Sequence, residues 1–142
     1  MITITINGRI KNKKKVTEYS LDILHSLLPR VRRNVEVDIN VVTRCEHNHY
    51  ALCWGDKDCA EIELARGSED TTFTLKEMML NLAHELVHAK QFIKGELHPS
   101  LNKWKRLDYS NVAYSRTPWE KEAYLLEDKL LEIYWKTNGK SK

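Results

Sequence analysis

Isoleucine and threonine alternate along residues 2–6 (ITITI), a period of two that predicts a half-buried β-strand ended by a turn at Asn7-Gly8. From 16 to 28 the period changes. Val16, Tyr19, Ile23, Leu24, Leu27 and Leu28 recur at helical spacing, and Pro29 marks the stop. Residues 35–43 (VEVDINVVT) alternate again, with Val35, Val37, Ile39 and Val41 on one face. The stretch 44–58 is mixed and fits a hairpin or a long loop, with a turn at Gly55-Asp56. Residues 60–65 (AEIELA) predict a short strand in which Ile62 and Leu64 share a face. Thr74 and Glu77 then give the T-x-x-E signature of a capping box, opening a helix over 75–93 that Gly95 closes. A polar stretch crosses 95–117. Thr117-Pro118 reads as the N-cap and first residue of a last amphipathic helix over 119–135, followed by a frayed tail at 137–142. The order strand, helix, strands, helix, helix predicts an α+β fold, as a single domain over residues 1–142.

Composition fits that picture. Of the 142 residues 42% are hydrophobic and 30% charged, enough apolar material for one core. No apolar run approaches the roughly 20 residues a bilayer requires, and the N-terminus lacks the continuous apolar stretch of a secretory signal, so a cytoplasmic protein is expected. Three cysteines, Cys45, Cys53 and Cys59, argue for reduced thiols over a disulfide framework. A net charge of +3 is too small to imply nucleic acid. The basic runs at 9–15 (RIKNKKK) and 30–33 (RVRR) read as a solvated turn and helix end, with a phosphate-contacting patch as the minor reading.

The chemistry lies on the 75–93 helix. A helical residue advances about 100°, which puts His84 and His88 about 40° apart on one face, a turn from each other. Leu75, Met79, Leu82, Leu86 and Ile93 form a stripe on roughly the opposite side, and Glu77, Asn81 and Gln91 share the histidines' side. Two imidazoles at i and i+4 can reach one zinc ion at about 2.0–2.1 Å. Glu85 falls beside them without pointing along the same axis, where a carboxylate can take a proton from a zinc-activated water. His84-Glu85-Leu86-Val87-His88 therefore fits H-E-x-x-H, the zincin signature. The alternative is two ordinary histidines on an amphipathic helix.

A catalytic zinc usually takes a third protein ligand. Lys94 occupies the position where metzincins carry a histidine, so that subclass is excluded. Glu120 and Glu122 on the last helix are candidates, and they flank its apolar stripe (Trp119, Ala123, Leu126, Leu130, Ile133) at similar angles. His98 is another, if Gly95 turns the chain back. Trp119 beside Pro118 is expected to lock the start of this helix and position Glu120. Tyr114, Tyr109 and His98 are candidate donors to a developing oxyanion, and an exposed sheet edge at 60–65 could accept a substrate strand.

The segments 81–97 (NLAHELVHAKQFIKGEL) and 114–124 (YSRTPWEKEAY) resemble zincins of the gluzincin type, and more narrowly small phage-encoded SprT-like or ImmA/IrrE-like metallopeptidases. Together they cover about a fifth of the chain. The resemblance implies a minimal zincin-like fold, one zinc ion per chain, hydrolysis of a protein or peptide substrate, and Glu85 as the catalytic residue. ImmA/IrrE-like relatives carry E-x-x-A followed by Asp or Asn, with the glutamate as ligand. Glu120 and Ala123 fit that frame, whereas Tyr124 departs from it and keeps Glu122 open. SprT-like relatives use a downstream histidine before glycine, but His98 precedes Pro99. The resemblance thus implies His84, His88 and Glu120 as ligands, although a His₂Glu set also suits other divalent ions.

Three other readings stay open. If 45–53 (CEHNHYALC) is extended, Cys45, His47, His49 and Cys53 share a face and could hold a second metal. The zincin scaffold could act as a binding module whose zinc is structural. A DNA-associated protease, as SprT-like proteins imply, would need 9–15 and 30–33 to bind DNA.

Overall fold

The computed structural model describes residues 1–135. The frayed tail expected at 137–142 lies outside the described residues. The fold is mixed α+β. Strands β1 (Ile2–Asn7), β2 (Val35–Val42), β3 (Ala51–Gly55) and β4 (Cys59–Ala65) form one sheet in the order β1-β2-β4-β3. β1, β2 and β4 run parallel, and β3 is antiparallel to β4. Helix α1 (Lys13–Leu27) crosses from β1 to β2, α2 (Leu75–Ile93) follows β4, and α3 (Pro118–Leu130) continues into a single π turn, Leu131–Trp135.

Alternation decides which face is covered. The register sets Ile6, Ile39, Ile62 and Cys53 in one row, and Ile4, Val37, Ala60 and Gly55 in the next. Val37, Ile39 and Ile62 are fully buried beneath α1 and α2, while Thr3, Thr5, Glu36 and Asp38 face away and are exposed. The two helices meet over this row, where the buried Tyr19 hydroxyl donates to the Met79 carbonyl at 2.8 Å.

α1 begins at Lys13, one turn earlier than the apolar spacing predicts, so Lys13 and Lys14 are exposed residues of its first turn. α2 has the expected bounds. Thr74 Oγ1 accepts the Glu77 N–H at 3.1 Å and Glu77 Oε1 accepts the Thr74 N–H at 2.8 Å, a reciprocal cap worth about 1 kcal/mol. Gly95, at φ +78°, takes the left-handed turn that ends the helix. From Leu82 to Ile93 every residue of α2 but His84 is buried, which makes it a rigid platform.

Two expectations need correction. The segment 60–65 is not a sheet edge, because β4 pairs with β2 on one side and β3 on the other. The edges are β1 and β3, and β3 arises from the mixed stretch 44–58. Its hairpin with β4 needs Gly55, where an added Cβ would meet the Cys59 carbonyl at 2.6 Å. The polar stretch 95–117 also carries structure, a small hairpin of β5 (Lys103–Trp104) and β6 (Leu107–Asp108).

Candidate metal centre

α3 packs along α2 and brings Glu120 to the two histidines. His84 Nε2 lies 3.1 Å from Glu120 Oε1, and His88 Nε2 lies 3.0 Å from Oε2 of the same carboxylate. The two Nε2 atoms are 3.2 Å apart. Glu120 is only 2% exposed and His88 6%, so this convergence is shielded from water. Ligand atoms of the three residues fall within 4.8 Å of one another, and among the described residues this is the one His/Cys/Asp/Glu group close enough to hold an ion.

The far side of each ring is also held. His84 Nδ1 is 2.7 Å from Glu127 Oε1, and His88 Nδ1 is 2.8 Å from Gln91 Oε1. Both partners are acceptors, so both Nδ1 atoms donate, and the Nε2 lone pairs turn inward together with a carboxylate. Three acceptors aimed at one point need a positive charge between them, either a proton or a metal ion. Metal-binding histidines are held in this way by groups behind the ring, and two imidazoles with one carboxylate suit zinc. The residues present therefore fit the ion.

Proton affinities reflect the same crowding. Burial works against charge on His84, but hydrogen bonds to Glu120 and Glu127 and the charge of Glu85 outweigh it and push its pKa up to about 9. Burial likewise opposes charge on Glu120, and the hydrogen bonds from His84 and His88, with the charge of His88, hold its carboxyl well below the usual range. Glu85 moves the other way, raised by burial despite the opposing charges of His88 and His84. In the metal-free protein the His84 contribution to stability is fully present below its unfolded pKa of about 6.5 and is lost as pH rises through about 9. The thermal midpoint measured in chelator is therefore expected to fall between pH 6.5 and 9. A zinc ion held by this group would replace the proton, and added zinc should then restore more of the midpoint at pH 9 than at pH 6.5.

The structure separates the candidates for a third ligand. Glu122 turns away from the histidines and accepts from Lys90 Nζ at 2.9 Å on each oxygen and from Gln91 Nε2 at 2.9 Å. His98 is exposed, with Nδ1 held by Ser100. Only Glu120 joins His84 and His88. Trp119, next to Glu120 in the first turn of α3, is buried against Phe92 and Leu97. Thr117 occupies the N-cap position, yet its hydroxyl donates to the Tyr114 carbonyl at 2.8 Å and caps nothing.

Of the three candidate oxyanion donors, Tyr114 is the one that acts on the group, where its hydroxyl helps hold the Glu120 carboxyl low. Tyr109 packs edge-on against Trp119, and His98 is engaged with Ser100. The charge of Glu85 acts on both histidines, on Glu120 and on Cys53 of the edge strand β3. Three residues at the group carried no role in the sequence reading: Gln91, Glu127 and Tyr124, whose ring centroid lies 4.7 Å from that of His84. Gln91 sits three residues after His88, and Tyr124 and Glu127 sit four and seven after Glu120. Helical spacing alone puts each on the face of its neighbour.

The second metal site does not form. A 3₁₀ turn at Glu46–Asn48, with His47 at φ 54°, breaks the extended run. His47 and His49 are exposed with ring centroids 6.4 Å apart, and Cys45 is buried near the Glu63 carbonyl. The 30–33 run is also partly consumed by the fold, because the Arg33 guanidinium binds the carbonyls of Lys57 and Ile93. Among the described residues no helix is long and apolar enough to cross a membrane. Comparison with known proteins returned no match, whether to protein-family models, curated proteins or solved structures.

Proposed function

We propose that this protein is a zinc-dependent metallopeptidase with a minimal zincin-like fold, in which His84, His88 and Glu120 hold one zinc ion. The observation that carries the reading is the convergence of two Nε2 lone pairs on one buried carboxylate, with both Nδ1 atoms tied behind by Glu127 and Gln91. Zinc held there supplies Lewis acidity and brings a water molecule into a range near pH 7 where it can be deprotonated.

Glu85 takes the proton from the attacking water and delivers it to the leaving amine. Its buried position raises its affinity for that proton, which suits both halves of the task. Tyr114 supplies a hydroxyl beside Glu120 as the donor to the developing oxyanion. β3, Ala51–Gly55, is an edge strand in contact with α2, and its free edge replaces 60–65 as the place where an extended substrate adds by main-chain pairing.

The test is cleavage of an unfolded protein substrate by the zinc-loaded protein. Hydrolysis that is lost in chelator and returns with zinc supports the reading. No hydrolysis of any substrate by protein with one bound zinc would instead favour a binding module with structural zinc, a reading that draws on the burial of Glu120 and His88.

A further inference from the structure

We infer that Gln91, Glu122 and Lys90 form a positioning relay that fixes the tautomer of His88 and thereby aims its Nε2 lone pair. The inference rests on the metal reading for its purpose, though the relay can be observed without metal.

Gln91 is fully buried, so water does not decide which end of its amide points where. Its Nε2 lies 3.0 Å from the Trp119 carbonyl and 2.9 Å from Glu122 Oε1. A carbonyl and a carboxylate only accept, so both amide protons are used there and Oε1 must face His88 Nδ1 at 2.8 Å. His88 therefore carries its proton on Nδ1. Reversing the amide would set its fully buried oxygen against a carbonyl and a carboxylate at once.

The charge of Glu122 is what makes that choice one-sided, and Lys90 holds it in place. Lys90 Nζ is 2.9 Å from both Glu122 oxygens and 2.9 Å from Glu96 Oε1. Lys90 is only 6% exposed, and a cation so buried needs such partners. His84 is oriented directly by a carboxylate, that of Glu127. His88 is oriented by a neutral amide whose direction a carboxylate and a lysine set from behind. This gives Glu122, which does not reach the histidines, a role at the centre. It also explains why α2 carries Lys90 and Gln91 side by side on a buried turn. A helix-to-helix clamp alone would need the Lys90–Glu122 pair but no particular orientation of Gln91.

The test uses full-length protein with nitrogen-labelled histidine, read by NMR for the protonated ring nitrogen of His88 with and without zinc, together with zinc affinity. Wild type is expected to show a slowly exchanging Nδ1–H on His88 in both states. Gln91→Leu should lose that signal and bind zinc roughly 10–100-fold more weakly. Gln91→Glu should also be impaired, because two carboxylates then face each other. The double variant Gln91→Glu with Glu122→Gln restores an acceptor for His88 and a donor behind it, and should recover the signal and part of the affinity lost in Gln91→Glu, the second carboxylate oxygen still meeting the Trp119 carbonyl. A His88 in zinc-loaded wild type that carries its one proton on Nε2 and none on Nδ1 overturns the relay. So does a Gln91→Leu protein whose His88 tautomer is unchanged, even if zinc binding falls, since that outcome assigns Gln91 to packing alone. Wild-type protein that binds no zinc but shows the Nδ1–H would end the metal reading and leave the relay standing.

Discussion

Replacing Glu85 with glutamine should leave zinc bound and reduce peptide hydrolysis by roughly 100- to 10,000-fold, the range for loss of a general base. The substitution preserves the volume and polarity of a buried side chain that is 9% exposed, so the fold has no reason to change. What it removes is the proton acceptor. An amide cannot take a proton from water near pH 7, nor pass one to an amine. Glu85 does not join the ligand group, which His84, His88 and Glu120 complete without it. Zinc content should therefore stay at one per chain while turnover falls, a split that neither misfolding nor metal loss would produce. Retained turnover with zinc still bound would take the proton-transfer role away from Glu85.

Replacing Glu120 with alanine should weaken zinc binding by more than the roughly 10–100-fold expected when a group behind a ligand is lost. Glu120 touches both Nε2 atoms through its two oxygens, and it is the carboxylate whose charge lies within the group. Without it the two imidazoles face a void. Glu122→Ala should weaken binding less, because that residue acts through Gln91 and never reaches the ion. An isothermal titration of zinc-free protein with a competing chelator measures both. Equal losses for the two variants would contradict the placement of Glu120 as the ligand.

How far this centre was legible depends on the range of the contact concerned. His84, Glu85 and His88 are set by local helical geometry, and the Thr74–Glu77 cap that starts their helix is also local. The choice between Glu120 and Glu122 was not local. Both flank the apolar stripe of α3 at similar angles, and they are told apart by Lys90 and Gln91, which lie on another helix. Glu127 and Tyr124 were within reach of the spacing from Glu120 but became meaningful only when α3 was laid against His84. The family resemblance implied Glu120 as the ligand, and the geometry supports that proposal.

The sheet was legible where alternation is clean, over β1, β2 and β4. At β3 the pattern left a hairpin and a long loop both open, with the turn at Gly55-Asp56, because the preceding residues mix polar and apolar types; the structure forms the hairpin with β4. With the loop alternative still open, β4 could look like an edge. The β5–β6 hairpin hid for a related reason. Its turn places Lys105 and Arg106 at positive φ, without the Asn-Gly or Asp-Gly pair that usually announces such a turn.

The most direct test of the proposed centre is X-ray absorption at the zinc edge of the zinc-loaded protein. Two imidazole nitrogens at about 2.0–2.1 Å with the remaining ligands oxygen, and no sulfur, are what His84, His88 and Glu120 predict. A sulfur shell at about 2.3 Å would move the metal to Cys45, Cys53 or Cys59 and contradict the account. A protein that takes up no zinc would contradict it as well.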